Sequence, residues 1–424
     1  MNSTLQNKGL SEHLLLCAHC GMCLSVCPVY RETLIESDSP RARLTLIKAV
    51  ENGSLDEKAG FIHKIYDCTS CMACAEVCPS GVHPDELILS ARAQIKKKPS
   101  HLQKFITNQI LSYPSRLRGS LLPLHMYERS GIRRLVRRTH LIDLLPERLA
   151  CLDSMLPELS GIHIYCGKKI VYGGSKNTEH KVGYFPGCAQ NLVFISVAQS
   201  TINVLEMNQC EVSIPAGLAC CGMPHIGYGE REEAKKLARH NIDSFRKVDI
   251  EYIVTDCATC GSMLKNFGSL LSDDPEYAEK ARLFSEKVRD ITEFLVNDIV
   301  INRNFRKLSS KVTYHEPCHL RRGQNLKEAP RKMLSDLLGN NFIDMNESDS
   351  CCGGAGSYTI THHSLSMKML DRKMKNLKDS GAGILATACP GCQIQLAQGI
   401  EQSNQKVRLM HIVELLSEAY RTNP

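Results

Sequence analysis

Residues 17–28 read CAHCGMCLSVCP, and residues 68–79 read CTSCMACAEVCP. Both stretches follow the pattern C-x2-C-x2-C-x3-C-P, and each cysteine of the first stretch recurs 51 residues later in the second. This pattern is typical of [4Fe–4S] clusters, in which three cysteines of one stretch hold one cluster and the fourth reaches the other. The sequence therefore predicts a ferredoxin-like, largely α-helical domain with two clusters.

The crossed arrangement divides the eight cysteines between the two clusters. Cluster one is expected to take Cys17, Cys20, Cys23 and Cys78, and cluster two Cys68, Cys71, Cys74 and Cys27. A small residue between ligands, Gly21 or Ala73, helps a short loop to bring three thiolates to one cube. The alternative is a structural zinc site, because paired cysteines also bind zinc.

Two helices are expected to pack beneath these loops. Residues 40–50 read PRARLTLIKAV, with apolar side chains at Leu44, Ile47 and Val50 as in an amphipathic helix. A second helix is predicted after Pro84, over residues 85–97, with two acidic residues in its first turn, where the helix dipole favours them.

Composition limits the remaining possibilities. A chain of 424 residues exceeds one usual core and predicts two or three domains, and 21 cysteines indicate metal ligation or disulfides. Residues 1–10 lack the apolar segment of a secretion signal, and no run of eighteen apolar residues occurs, so we expect a cytoplasmic protein with at most peripheral contact to the inner face of the membrane. Tryptophan is absent and the net charge of +7 is scattered, so nucleic acid is not expected as a partner.

Residues 101–150 contain no cysteine and carry nine basic against three acidic side chains before Cys151. Four arginines, Arg133, Arg134, Arg137 and Arg138, alternate with apolar residues. Such a segment can lie on anionic lipid or bind an acidic partner. The simpler interpretation is a solvated helical linker, which we favour.

The C-terminal half contains a duplication in which each copy holds five cysteines. The first copy has Cys188, Cys220, Cys221, Cys257 and Cys260, and the second has Cys318, Cys351, Cys352, Cys389 and Cys392. Flanking residues repeat as well, since VGYFPGC at 182–188 matches VTYHEPC at 312–318. A repeat of this length indicates two copies of one structural unit.

Each copy alternates short apolar strands with helical patterns, the helices including residues 192–207 and 230–245. This alternation predicts α/β units on a parallel sheet, with the cysteines at the carboxyl ends of the strands. We expect four segments: the ferredoxin-like domain at 1–100, a basic helical linker at 101–178, and cysteine-rich domains at 179–305 and 306–424. The predicted fold class is thus α+β and α/β combined.

The adjacent cysteines before Gly222 and Gly353 need a sharp bend to aim both thiols at one centre, and glycine eases such a bend. That geometry favours an iron–sulfur cluster in at least one copy, and the alternatives are zinc held by four thiols or buried cysteines without a metal. Three histidines lie near these cysteines: His315, His319 and His225. A histidine in such a place either tunes the potential of a cluster or is simply a hydrogen-bonded neighbour, and the second case is the commoner one. The remaining cysteines, which we interpret as ordinary thiols, are Cys151, Cys166 and Cys210.

The chain resembles the iron–sulfur subunit of glycolate and lactate (2-hydroxy-acid) oxidases. More distantly it is similar to an iron–sulfur subunit of anaerobic glycerol-3-phosphate dehydrogenase and to the cysteine-rich subunit of heterodisulfide reductase. The resemblance rests on the two cluster stretches above, GCAQ at Gly187, CCG at Cys220, SCCGGAGSY at Ser350 and MHIVELL at Met410, and it runs from about Leu14 to Tyr420.

The resemblance implies an electron-transfer role. A separate FAD-containing subunit would oxidise the 2-hydroxy acid, and this chain would pass the electrons to a quinone or another carrier. It also implies that each five-cysteine set holds a non-cubane [4Fe–4S] cluster, giving one or two further clusters, and no flavin on this chain. Both final cysteine pairs are complete here, whereas glycolate oxidase subunits often lack one of these cysteines. This leaves open a second role, the reduction of a disulfide at a non-cubane cluster.

Overall fold

The computed structural model describes residues 10–95, 104–130, 136, 139, 167–174 and 178–421. These residues form a helical N-terminal part, a helical connection and two α/β parts, each with its own sheet. The predicted fold class is confirmed. No helix in these ranges is both long and apolar enough to cross a membrane.

The N-terminal part consists of short helices that flank the two cysteine loops. They are Leu10–Leu15, Met22–Val26, Pro28–Thr33, the 3-10 turn Glu36–Asp38, Pro40–Glu51, Ala59–Tyr66, Ala73–Glu76 and Pro84–Gln94. The helix predicted at 40–50 is present, and it begins at Pro40 because Ser39 caps it by accepting a hydrogen bond from the Ala42 N–H. The second predicted helix begins one residue earlier than expected, at a proline that fits the first turn, and ends three residues earlier.

One apolar core lies beneath the two loops. Leu44, Ile47, Ile65, Leu87 and Ile88 are buried in it and come from three different helices. Burial of these side chains is the main force that holds the loops in place, because each contributes about 2 kcal/mol when removed from water.

The connection begins with a π-helical turn, Ile106–Leu111, followed by the helix Pro114–Arg129. Thr107 and Ser112 are buried, and the Ser112 carbonyl accepts a hydrogen bond from the Cys220 N–H at 2.9 Å. This part of the predicted linker therefore packs on the first cysteine-rich copy. The four clustered arginines at 133–138 lie outside the described residues.

The first copy is built on a five-stranded sheet with the order β1-β3-β2-β4-β5. The strands are β1 Ile170–Tyr172, β2 His180–Tyr184, β3 Cys210–Ile214, β4 Tyr252–Thr255 and β5 Val288–Asp290. Strands β2 to β5 are parallel, and β1 pairs antiparallel with β3. β1 lies within the segment assigned to the linker, 101–178, yet it forms the edge of this sheet.

Helices alternate with the strands of the first sheet. They are Gly187–Leu192, Ile195–Met207, Met223–Gly227, Arg231–Phe245, Ala258–Lys265, Phe267–Leu270, Ala278–Lys287, Ile291–Glu293 and the π-helical turn Phe294–Asp298. The helix predicted at 192–207 is thus interrupted after Leu192 and resumes at Ile195, while the helix predicted at 230–245 begins at Arg231.

The second copy has a smaller parallel sheet, with the order β6-β7-β8. Its strands are β6 Val312–Tyr314, β7 Ile384–Thr387 and β8 Arg408–His411. At the place in the second copy that corresponds to β3 of the first, a single β-bridge joins Val312 and Phe342. The helices are Cys318–Arg321, Glu328–Leu338, the 3-10 turn Gly339–Asn341, Tyr358–Thr361, His363–Ser380, Pro390–Gln402 and Ile412–Arg421.

The two copies share one continuous apolar core. The final helix, Ile412–Arg421, packs against Ile195–Met207 of the first copy. Near the cysteines, the Ala258 N–H donates to the Ala388 carbonyl at 3.1 Å, and the Gln324 amide donates to the Ala258 carbonyl at 3.0 Å. The carboxyl ends of the two sheets therefore face each other.

The N-terminal part docks on both copies. Arg31 pairs with Glu347, Arg372 with Glu32 at 2.8 Å, and Asp67 with His362 at 3.0 Å. On the first copy, the buried Arg92 donates to the Gly227 carbonyl at 3.1 Å and the Tyr66 hydroxyl donates to the Tyr228 carbonyl at 3.2 Å. These contacts place the cluster loops beside the cysteine-rich copies.

Candidate metal centres

The two N-terminal cysteine loops follow the same backbone course. Positive φ angles occur at His19 (51°) and Gly21 (83°) in the first loop, and at Ser70 (52°) and Met72 (62°) in the second. The counterpart of Gly21 in the second loop is therefore Met72, the residue before Ala73. The left-handed backbone conformation costs a residue with a side chain about 1 kcal/mol of free energy. The second loop therefore adopts its shape although the conformation of Met72 is locally unfavourable.

The eight N-terminal cysteines lie around these loops with different degrees of burial. Cys20 is exposed, whereas Cys71 and Cys74 are buried. Cys74 lies within electrostatic range of Cys27, Cys68 and Cys71. The fourth cysteine of the first stretch is thus grouped with three cysteines of the second. The assignment of individual ligands to the two clusters stays a prediction.

In the first copy the five cysteines follow the carboxyl ends of β2, β3 and β4. The Cys188 thiol hydrogen-bonds Cys220, and the Cys221 sulfur accepts from Cys220 and Cys260. Cys257 caps the helix Ala258–Lys265 by accepting the Cys260 N–H at 3.3 Å. The five sulfur atoms therefore form one contiguous group.

The second copy repeats this arrangement. Cys318 begins the short helix after β6, and Cys389 precedes the helix after β7. The Cys352 sulfur accepts hydrogen bonds from Cys351 and Cys392, and Cys318 lies within electrostatic range of Cys352 and Cys389. All ten predicted cysteines thus lie in two groups at the carboxyl ends of strands.

The glycine after each cysteine pair makes the predicted bend. φ is 94° at Gly222 and 87° at Gly353, a region that L side chains rarely adopt. The N–H of each glycine donates to the first sulfur of its pair, Cys220 at 3.5 Å and Cys351 at 3.4 Å. The bend therefore turns two adjacent thiols toward one centre.

Burial and mutual contact determine the protonation of these thiols. Burial raises the pKa of Cys71 to about 11, and it also raises the pKa of Cys318. Hydrogen bonds from Cys220 and Cys260 lower the pKa of Cys221 well below its ordinary value, as those from Cys351 and Cys392 do for Cys352. A metal ion displaces the remaining protons when it binds, because only thiolates are ligands.

The chemistry of the donor set fits iron–sulfur clusters. The nineteen cysteines among the described residues are all free thiols, and the two outside them are Cys151 and Cys166. Soft thiolates at low solvent exposure are the ligands that such clusters take. The same cysteines would hold the iron in each group. Cys210 is separate: it is buried in β3, where burial raises its pKa to about 12.

The groups are also close to one another. Cys257 of the first copy and Cys389 of the second are hydrogen-bonded, and the Thr259 hydroxyl lies 3.3 Å from the Cys389 sulfur. On the other side, Cys71 of the N-terminal part lies within electrostatic range of Cys318 and Cys351. The thiols therefore form a continuous series from the N-terminal part through the second copy to the first.

The three histidines differ in their surroundings. His225 is a hydrogen-bonded neighbour, because its Nε2 lies 3.1 Å from both the Ser112 hydroxyl and the Thr107 carbonyl oxygen, and burial lowers its pKa. His319 Nδ1 lies 3.5 Å from the Cys318 sulfur. His315, in contrast, faces Cys352 and Cys392.

One charged residue near the second group was missed by the sequence reasoning. Lys373 is buried and donates to the carbonyl oxygens of Glu347 and Ser348, and burial lowers its pKa to about 8. It lies within electrostatic range of Cys351 and Cys352, where a cation favours an anionic cluster. Its position in the middle of a charged helix, His363–Ser380, gave no signal of burial.

Three family models match parts of the chain. The 4Fe-4S dicluster domain matches residues 13–82, and the cysteine-rich domain matches twice, at 182–265 and 312–397. The linker region of the glycolate oxidase iron–sulfur subunit matches residues 98–156. The exact boundaries of the four predicted segments stay predictions.

Several curated proteins are similar to the chain. A probable glycolate oxidase iron–sulfur subunit of Bacillus subtilis is 34% identical over 96% of this chain and 94% of its own length. Lactate utilization protein A of an Exiguobacterium strain is 32% identical over 57% of this chain and 98% of its own. An uncharacterized iron–sulfur protein of Methanococcus maripaludis is 28% identical over 95% of this chain and 72% of its own length.

A solved structure shares the overall fold. It is a crystal structure of a hypothetical protein from Helicobacter pylori, with a TM-score of 0.55 and 9% identity, covering 98% of this chain and 73% of that one. At this identity the likeness concerns the fold alone. The sequence match to the Bacillus subtilis protein spans nearly the whole of both chains and includes the linker. The chain is therefore an iron–sulfur protein and belongs to the family of glycolate oxidase iron–sulfur subunits.

Proposed function

We propose that this chain is the electron-transfer subunit of a flavin-dependent 2-hydroxy-acid dehydrogenase. An FAD-containing partner oxidises glycolate or lactate to the 2-oxo acid, and this chain passes the electrons to a quinone or another carrier. The names of the relatives support glycolate and lactate as the candidate substrates. No residue of this chain needs to contact the hydroxy acid.

The observation that carries this proposal is the continuous series of thiol groups. Two [4Fe–4S] clusters in the N-terminal part and non-cubane clusters in the two copies would supply one-electron redox steps. The chain's own residues hold these groups close together: Cys71 lies within electrostatic range of Cys318, and the Cys257 thiol is hydrogen-bonded to Cys389. Burial of the inner thiols excludes water and sets the local dielectric, on which the potentials depend.

One end of the series is accessible to a partner. Cys20 is exposed, and the neighbouring Leu15, Leu16 and Met22 also expose apolar side chains. Exposed apolar residues in a cluster mark protein contact sites. We place the contact with the partner flavoprotein at this surface, beside the proposed cluster one.

The test is anaerobic iron and sulfide analysis with EPR, combined with hydroxy-acid-dependent reduction in the complex with the flavoprotein. Cys318→Ala is expected to lower the iron content by about four atoms and to slow electron delivery to the acceptor. Cys210→Ala is the matched control, because Cys210 is buried and lies outside every cysteine group. The iron content of this variant should equal that of the unmodified chain.

Two results would contradict the proposal. Zinc in place of iron would exclude electron transfer altogether. Clusters that stay oxidised when the flavoprotein turns over its hydroxy acid would exclude the relay, even with full iron content.

A second candidate function is the reduction of a disulfide at a non-cubane cluster. Two complete cysteine pairs meet at the contact between Cys257 and Cys389, which favours chemistry at the boundary between the copies. The isolated chain with reduced viologen would then consume a disulfide without the flavoprotein, whereas a relay subunit would not.

A further inference from the structure

His315 lies in the loop after β6 and is 1% exposed. One nitrogen of its ring and the sulfur atoms of Cys352 and Cys392 all lie within 4.8 Å of one another. The imidazole hydrogen-bonds the Cys352 sulfur, while its Nδ1 is buried and has no hydrogen-bond partner among the described residues. A buried polar atom without a partner costs about 1–3 kcal/mol, so the ring of His315 is held at the cysteines at a cost that a bond to a metal would offset.

The duplication provides an internal comparison for this position. Phe185 stands at the matching place in the first copy, three residues before Cys188 as His315 stands three before Cys318. The backbone positions are equivalent, because the Phe185 N–H donates to Val254 and the His315 N–H to Ala386, each at 2.9 Å and each in the strand before the final cysteine pair. Phe185 is equally buried and stacks on Phe245. The two copies therefore differ by a nitrogen donor at one site.

An imidazole facing two cluster cysteines has a known chemical effect. In the second copy the His315 imidazole would take the place of one of the five thiolates on iron, so that a neutral ligand replaces an anionic one and the reduction potential of the cluster rises. Lys373 adds a buried cation within electrostatic range of Cys351 and Cys352, and the first copy has the ring of Phe185 in place of His315. Both features favour the reduced, more negative state of a cluster in the second copy.

We propose that His315 takes the place of one of the five thiolates as a nitrogen ligand of the iron–sulfur cluster in the second copy, and that this cluster consequently has a higher reduction potential than the one in the first copy. The inference rests on the proposed occupancy of the second copy. It assigns the two copies different electronic roles: the second, next to the N-terminal part, is the preferred resting place of the electron.

The test is pulsed EPR of the reduced chain with 15N-labelled histidine, which needs no substitution. A nitrogen coupling of the size found for directly bound imidazole is expected, and it should disappear in His315→Phe, the variant that copies the first repeat. His315→Cys supplies a thiolate and should keep the iron while it loses the coupling. In both variants the potential of the second-copy signal should fall.

The matched control is His319→Gln, since His319 Nδ1 also lies beside these cysteines, 3.5 Å from the Cys318 sulfur. The nitrogen coupling measured in the His319→Gln variant should equal that of the unmodified chain. A coupling that survives in His315→Phe, or one too weak for a bound nitrogen, would overturn the inference and leave the relay untouched. If Cys318→Ala removes no iron, the second copy holds no cluster, and both the inference and the proposed occupancy fail.

Discussion

Gly222 and Gly353 make the same turn in the two copies, but their surroundings differ. A Cβ atom on Gly222 would have its nearest neighbour, the Ala234 Cα, at 3.5 Å, which is ordinary contact. A Cβ atom on Gly353 would lie 2.6 Å from the Ser366 carbonyl oxygen, which belongs to a helix backbone and cannot move away alone. The second copy therefore tolerates no side chain at this turn.

We expect Gly353→Ala to be more destabilising than Gly222→Ala. In both variants the free energy of unfolding falls by about 1 kcal/mol because an L residue is forced to a positive φ. Gly353→Ala adds a clash with the backbone, which Gly222→Ala does not. Anaerobic thermal melting and iron content of the two variants measure the difference. Equal melting temperatures would show that the Ser366 carbonyl is not a constraint.

At the scale of one element, the turn after β5 depends on Asp290. Its Oδ1 accepts hydrogen bonds from the Thr292 N–H at 2.8 Å and the Thr292 hydroxyl at 2.6 Å, and Glu293 completes a capping box. Its Oδ2 is buried without a partner among the described residues, and burial raises the pKa of Asp290 to about 6. The cap therefore places a carboxylate where a neutral group would be more stable.

Asp290→Asn should gain stability relative to the unmodified chain as pH rises. A raised pKa means that the contribution of Asp290 is present below its ordinary pKa and is lost as pH rises through about 6, whereas asparagine keeps the Oδ1 acceptor and stays neutral. Between pH 5 and pH 7 the variant should gain about 1 kcal/mol, as measured by denaturant unfolding at both values.

The control for this titration is Asp273→Asn. Lys235 lowers the pKa of Asp273, so the contribution of Asp273 to stability is constant at any pH above the ordinary pKa of aspartate. The stability difference between Asp273→Asn and the unmodified chain should therefore be the same at pH 5 and pH 7. A flat response from Asp290→Asn as well would mean that the carboxylate is already neutral or paired.

Elements with long periodic patterns were predictable from the sequence, and contacts between distant segments were not. The helix Pro40–Glu51 and the parallel strands before each cysteine group follow from local patterns. β1 could not be predicted, because three residues in a long segment without motifs carry no periodicity. The approach of His315 to Cys352 required the bend at Gly353, although comparison of the repeats identifies the difference from Phe185.

At the scale of the whole molecule, Glu76 joins the N-terminal part to the second copy. Its carboxylate lies 2.6 Å from Arg322, 2.7 Å from Lys327 and 3.5 Å from Arg321. Burial alone would raise the pKa of Glu76, but Lys327 and Arg322 lower it to about 2. Its contribution is thus present above the ordinary pKa and lost only as pH falls toward 2.

Glu76→Gln should loosen this docking at neutral pH by about 1 kcal/mol, because three cations lose their shared partner. Faster limited proteolysis between the N-terminal part and the second copy, and weaker magnetic interaction between their clusters, are the expected readouts. Asp56→Asn is the control, since the pair between Asp56 and Lys58 is exposed and local. Equal proteolysis of all three proteins would contradict a role for Glu76 in docking.

The position of the connection on the first copy has a consequence for biogenesis. The ribosome completes the N-terminal part and the connection before the cysteines that they will cover. In the finished protein the Ser112 carbonyl accepts a hydrogen bond from the Cys220 N–H, and Cys71 lies within electrostatic range of Cys318. We therefore expect iron and sulfide to enter the two copies more readily while these surfaces are still apart, so that cluster insertion is favoured before the chain closes on itself.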